Sequence, residues 1–280
     1  MNKLRKDAFK SPVYHITIIA LLSVGLVSLP IGKLFELFVL DEYKAQLIGG
    51  IFLRVALSIG ALCAIIKYGF FKPFYSHDGV KSFLLCIPAL IVAVNNFPIL
   101  AVINGNAQFT NDSANVILYV IYCISVGLFE EFIFCGLIFP LCIYIHRHKK
   151  YSVIWACLIS SGIFAISHLM NLFGGANFGA TLLQVCYSFL IGAMCCICKC
   201  VTRNIFTAVV LHSIYDIGGL VFSSTFGIGV GNQWDIITIV ITAILGVLVA
   251  LHIIRLGFKV DHGEVEDLYF ERDIDNLINS

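Results

Sequence analysis

Two glutamates stand side by side in GLFEEFIFCG (residues 127–136), a segment otherwise apolar, and the nearest basic residue along the chain is Arg147. Further on come His168, in FAISH (164–168), and His212 and Asp216, in HSIYD (212–216), each again inside an apolar run. Carboxylates and imidazoles are the side chains that move protons and activate water near neutral pH. In a segment without water an unpaired carboxylate costs a few kcal/mol, roughly, so Glu130, Glu131, His168, His212 and Asp216 are candidates for function. Each also has a structural reading. A histidine in a membrane helix can serve as a hydrogen bonder, and His212–Asp216 can be a satisfied intramembrane pair.

Spacing narrows the geometry. His212 and Asp216 stand four residues apart, one turn along the same helix face. Adjacent residues are about 100° apart around a helix, so Glu130 and Glu131 are not expected to reach the same target. Glu130 lies 19 residues before Lys149 and His168 lies 19 after it. In a helical hairpin turning near Lys149, equal rise per residue puts the two at similar depth. Four residues past Glu131 comes the thiol of Cys135.

The elements that position these groups follow from composition. Hydrophobic residues make up 59% of the 280, charged residues 12%, and mean hydropathy is +0.95. A soluble domain carries about twice that charge fraction, so the chain reads as an all-α, polytopic membrane helix bundle. About eight spans are expected, near 15–40, 46–71, 82–104, 115–145, 151–172, 179–198, 204–223 and 234–256. The first follows a basic stretch (Lys3, Arg5, Lys6, Lys10), is too long for a signal-peptide core, and is read as a retained helix.

Loop charge sorts the ends. One side receives the N-terminus, Lys67, Lys72, Lys81, HRHKK at 146–150, Lys199, Arg203, Arg255 and Lys259. The other receives the 41–45 loop, with one Lys against Asp41 and Glu42, and NGNAQFTND, NLFGGANFG and SSTFGIGVGN, which hold no Lys or Arg. By the positive-inside rule both termini are cytoplasmic. The acidic tail after Gly257 reads as a short cytosolic extension.

Arg54 sits inside the second span and either snorkels to the outer surface or pairs with Glu131. The eleven cysteines are scattered through apolar segments, where Cys packs as a small hydrophobe. The cluster Cys195 to Cys200 is either the inner end of a helix in a reducing compartment or a metal or acylation site. No P-loop, dinucleotide fingerprint or internal repeat is present, and nothing in the sequence calls for nucleic acid.

In order and spacing the three motifs resemble the CPBP family, which groups CAAX prenyl endopeptidases with bacteriocin-processing and immunity (Abi-type) proteins. The family pattern runs EE-x-x-x-R, F-x-x-x-H and H-x-x-x-N/D; the resemblance extends over residues 115–220 and departs at Cys135, where the pattern has Arg. It implies three parts: membrane helices over 1–114, a catalytic core over 115–223, and a last span with a polar tail over 224–280. It further implies an intramembrane endopeptidase of a membrane-associated peptide or protein, located in a bacterial cell membrane. In that reading Glu130 is the general base on a water also held by His168, Glu131 supports it, and His212 donates to the oxyanion. Asp216 orients His212 or, if protonated, donates as well. No cofactor is expected; a zinc site, if there is one, would use Glu130, His168 and His212. The loss of the motif Arg also admits a non-catalytic member that confers immunity by binding, and buried Glu, His and Asp admit a proton-coupled carrier.

Overall fold

A computed structural model of the chain describes residues 12–70, 79–110, 112–147, 149–223, 225–231 and 236–270. The basic N-terminal stretch, Lys72, the side chain of Lys81, His148 and the last ten residues lie outside what is described. The described chain is all-α apart from one short β-ribbon.

Helices α1 (Pro12–Val27) and α2 (Gly32–Phe35) share the first apolar run, which breaks around Pro30. Proline lacks the N–H a continuous helix needs and disfavours helix in the residue before it. Helix α3 (Glu42–Lys67) is continuous. The third run is cut in the same way: α4 (Gly79–Leu84) and α5 (Ile87–Asn95) precede Pro98, and α6 (Ile99–Ile103) follows it. Next comes β1 (Ala107–Phe109) and then α7 (Ser113–Ile133), which runs through a π turn (Phe134–Ile138) into α8 (Phe139–His146). Helix α9 (Ser152–Ser167) ends in a 3-10 turn (His168–Leu172). It is followed by α10 (Phe178–Thr202), α11 (Ile205–Gly219), β2 (Gly229–Gly231), α12 (Ile236–Lys259) and α13 (His262–Phe270).

Side-chain caps set four of these starts. Asp41, Asp112, Asn177 and Asn204 each accept a backbone N–H from the first turn of the helix that follows, replacing a partner the helix cannot supply.

Among the described residues five helical stretches are long and apolar enough to cross a membrane: Glu42–Lys67, Ser113–His146, Ser152–Leu172, Phe178–Thr202 and Ile236–Lys259. This is the architecture of an integral membrane protein. The other three expected spans are apolar but short or broken, α11 being only 15 residues long. Antiparallel pairing of β1 with β2 joins two of the lysine-free loops, so both lie at one end of the bundle. At the basic end α13 folds back on the bundle: Arg203 pairs with Glu264, and the Val153 N–H donates to His262.

The core is built around α7 and α8. Helix α7 packs on α3 and α11, α9 packs on α10, and α10 on α11. Gly127 makes the α7–α11 approach close: a Cβ there would lie 2.5 Å from Ser213 Oγ and 3.0 Å from its backbone nitrogen. Where lipid is as apolar as the helix, small residues at crossings let backbones approach and van der Waals contact accumulate.

Candidate active site

The crossing at Gly127 brings α11 onto the face of α7 that carries the glutamates, and His212 becomes the centre of the site. Its Nδ1 donates to Glu131 Oε1 at 2.6 Å. Its Nε2 lies 3.3 Å from Glu130 Oε2 and 3.7 Å from Asp216 Oδ2. Three carboxylates therefore surround one imidazole, two from α7 and one from the next turn of α11.

This corrects the expectation that Glu130 and Glu131 are aimed at different targets. They approach opposite nitrogens of one ring, and two flexible side chains span the 100° or so between their Cα directions. Their exposures differ. Glu131 is 2% exposed and His212 3%, whereas the side chains of Glu130 and Asp216 keep 20% and 15%. The inner pair is the more enclosed, and the outer two carboxylates hold what exposure the cluster keeps.

Two acceptors in this cluster take no hydrogen bond from the protein, Glu131 Oε2 and Asp216 Oδ2. Buried polar atoms are nearly always partnered, and exceptions concentrate where a site does work. Both lie beside His212, where a donor from water or substrate would be held.

His168 is less closely engaged than its depth implies. It stands edge-on to Phe164, with ring centroids 4.9 Å apart, and Phe164 also packs against His212 at 5.6 Å. No hydrogen bond or ion pair joins His168 to Glu130 among the described residues. Matching depth fixes height along two helices but not direction around them, and His168 sits where α9 tightens into its 3-10 turn.

Arg54 does not pair with Glu131. It stacks over the Tyr122 ring, 4.8 Å to the centroid, and donates to Gly50 O at 3.3 Å. Among the described residues no carboxylate comes within ion-pair distance of it.

Where the motif Arg is missing, Cys135 is buried with its Sγ 3.1 Å from Cys196 Sγ. All eleven cysteines are free thiols, and Cys195, Cys196 and Cys198 are buried in the interior half of α10. The expected zinc ligands Glu130, His168 and His212 are not assembled as a set. Instead Glu131, Cys195 and His212 bring one ligand atom each within 4.8 Å of one another. They can hold an ion, but only by giving up the Glu131–His212 hydrogen bond, because 2.6 Å between oxygen and nitrogen leaves no room for a metal.

Residues 112–218 match the family model described as type II CAAX prenyl endopeptidase Rce1-like. The match covers well under half of the chain, and this segment is similar to that family. It contains all five motif residues, and the family is one of proteases. No curated protein and no solved structure matches the chain.

The sequence did not disclose the roles of three residues that hold the segment in shape. Ser160 donates to Phe134 O at 2.9 Å, pinning the π turn to α9. Tyr119 donates to Ile217 O at 2.7 Å, holding the end of α11 that carries Asp216. Lys199 is buried and donates to Cys135 O. Its signal was a lysine within a run of buried-type cysteines, which reads equally well as a basic loop edge.

Proposed function

We propose that the chain is an intramembrane endopeptidase that hydrolyses a peptide bond in a membrane-associated peptide or protein. The observation that carries this reading is the clamping of His212 by carboxylates on both ring nitrogens, in an apolar interior where Glu130 and Asp216 keep some exposure.

The clamp gives each group a task. Glu131, accepting from Nδ1–H, fixes the plane of the ring; a second proton, on Nε2, makes the ring an imidazolium, the charge that the surrounding carboxylates hold. Glu130, more exposed, holds the attacking water and takes one of its protons as the oxygen bonds to the scissile carbonyl carbon. The carbonyl oxygen becomes an oxyanion, and His212 Nε2–H donates to it in a site of low dielectric. The proton on Glu130 passes to the peptide nitrogen as the C–N bond breaks, leaving a carboxyl and an amine. Asp216 steadies His212 from the next turn. His168, which shares the Phe164 ring with His212, is assigned to the far side of the water. A metal bound by Glu131, Cys195 and His212 would supply a Lewis acid instead; these side chains would then be ligands.

Peptides released by source cells carrying the wild-type chain, Glu130→Gln or no chain are compared by mass spectrometry. A peptide lost equally in Glu130→Gln and in the deletion, with the variant present in the membrane, supports hydrolysis and names the substrate. If Glu130→Gln matches wild type while the deletion has a phenotype, the chain acts by binding and the protease reading fails.

A further inference from the structure

Among the described residues three strongly ionisable side chains are almost fully buried: Glu131, His212 and Lys199. The first two hold each other. Lys199 faces neither, and no carboxylate comes within ion-pair distance of it among the described residues. Its ammonium lies between two rings, 5.7 Å from the Phe139 centroid and 5.2 Å from that of Tyr269 on α13, and donates to the backbone oxygen of Cys135. A ring face eases the burial of a cation but does not explain why this carbonyl is its partner.

The π turn does. In the π segment each N–H bonds five residues back, and the Phe139 N–H donates to Phe134 O in this register. The next bond would run from residue 140 to Cys135 O. Residue 140 is proline and has no N–H. Cys135 O is thereby left without its main-chain donor in a segment buried throughout, and the Lys199 ammonium takes the place of the missing N–H. The neighbouring Phe134 O receives a second donor from Ser160. Side chains of α9 and α10 thus grip the two adjacent carbonyls at the start of the π turn.

We propose that Lys199 is a positioning residue of the active site: by standing in for the N–H that Pro140 lacks, it holds the π turn that sets the rotation of Glu130 and Glu131 toward His212. A π turn carries one residue more than the α-helical repeat, so its loss changes the phase between α7 and α8 by about 100°. Helix α8 is buried from Phe139 to Ile143 and cannot rotate freely. The shift falls on the end of α7, and the 2.6 Å bond from His212 to Glu131 is the first contact it strains. The proposal rests on the protease reading for its catalytic consequence, though not for its geometric one.

Two readouts separate these. One is release, by membranes, of the peptide lost in the Glu130→Gln cells; the other is the 15N resonance of His212 in histidine-labelled protein, which reports the bond to Glu131. Lys199→Met removes the donor and is expected to lower peptide release about 10²-fold, the scale of a 1 Å or so misplacement of a reacting group, and to shift the His212 resonance. Lys199→Arg retains release. The decisive variant is Lys199→Met combined with Pro140→Ala, in which the new N–H of residue 140 reaches Cys135 O and both readouts return toward wild type. A structural lysine acting only through the rings of Phe139 and Tyr269 gives no such rescue. Should Lys199→Met fail to accumulate, accumulation and activity of the double variant support the proposal, and its absence from the membrane overturns it. A Lys199→Met protein with unchanged release and unchanged His212 resonance also overturns it. If Glu130→Gln proves indistinguishable from wild type, the protease reading fails, and the resonance alone decides the role of Lys199.

Discussion

Two apolar stretches of this chain have opposite fates. Ser113–His146 and Ile236–Lys259 are both long enough to cross a membrane. From Glu131 to Ile143 every residue of the first is buried, whereas in the second only Val249, Ile253, Leu256 and Gly257 are. Hydropathy does not separate them, because lipid tails are as apolar as leucine and no hydrophobic force draws one such helix inward over another. What separates them is close approach and hydrogen bonding. The first has Gly127 under Ser213 and Gly136 under Ile65, and carries glutamates that need partners. The second meets its neighbours at ordinary contact distance, as where Gly257 faces Ile154 and Ile197, and its bonds to Asn95 through Thr242 and to Leu85 O through His252 join it to the broken third run rather than to a charged site. Helix α12 is a wall, and α7–α8 is the post around which the site is assembled.

The contrast is broken hardest by removing the group that the post's polar face serves. His212→Ala takes away the ring held by Glu130, Glu131 and Asp216 and leaves Glu131 buried without a donor. Peptide release is expected to fall by about 10²–10³-fold, the range for loss of one oxyanion donor. The protein also loses stability, since a stranded buried charge costs about 3–5 kcal/mol. Release close to wild type from a folded variant would remove His212 from the chemistry.

A smaller effect is expected at the crossing. Gly127→Ala adds a methyl group 2.5 Å from Ser213 Oγ and 3.1 Å from Val209 O. The hydroxyl can rotate away, but the backbone oxygen and nitrogen cannot, so α11 must move. Overpacking of this kind costs about 1–3 kcal/mol, and the displacement carries His212 away from Glu131. Activity should drop about 10-fold or more while α-helical content by circular dichroism is unchanged. Gly246 on α12, where an added methyl group would lie 3.8 Å from Leu190 on α10, accepts Ala without loss.

These residues also mark how far the sequence alone could be followed. Glu130, Glu131, His168, His212 and Asp216 stood out because a charge in an apolar run is rare enough to demand a reason, and the one-turn spacing of His212 and Asp216 follows from the helix itself. Direction around each axis was not legible. Equal depth for Glu130 and His168 left open whether they face each other, and the 100° between adjacent glutamates took no account of long side chains meeting on either edge of an imidazole. The breaks at Pro30 and Pro98 were visible as prolines but hidden by the length of the apolar runs around them. Lys199 was hidden for the opposite reason: a lysine near a helix end looks like a basic loop until the carbonyl it serves is known.

The contrast between post and wall is sharpened by one matched pair of truncations. Leu137, in the π turn, is fully buried; Leu248, on α12, is 57% exposed. In water both changes to alanine would also lose solvent transfer energy, but for a membrane helix the surroundings on either side are apolar, and only packing distinguishes them. Leu137→Ala opens a cavity within the buried core, and cavity cost alone amounts to about 2 kcal/mol for a leucine-sized void. Leu248→Ala faces lipid, which closes over the missing methyl groups, so a change within about 0.5 kcal/mol is expected. Thermal unfolding in one detergent compares them directly. A drop of several degrees for Leu137→Ala with none for Leu248→Ala places stability in helix-to-helix contact; equal drops would mean that α12 is gripped by the bundle as firmly as α7 and α8 are.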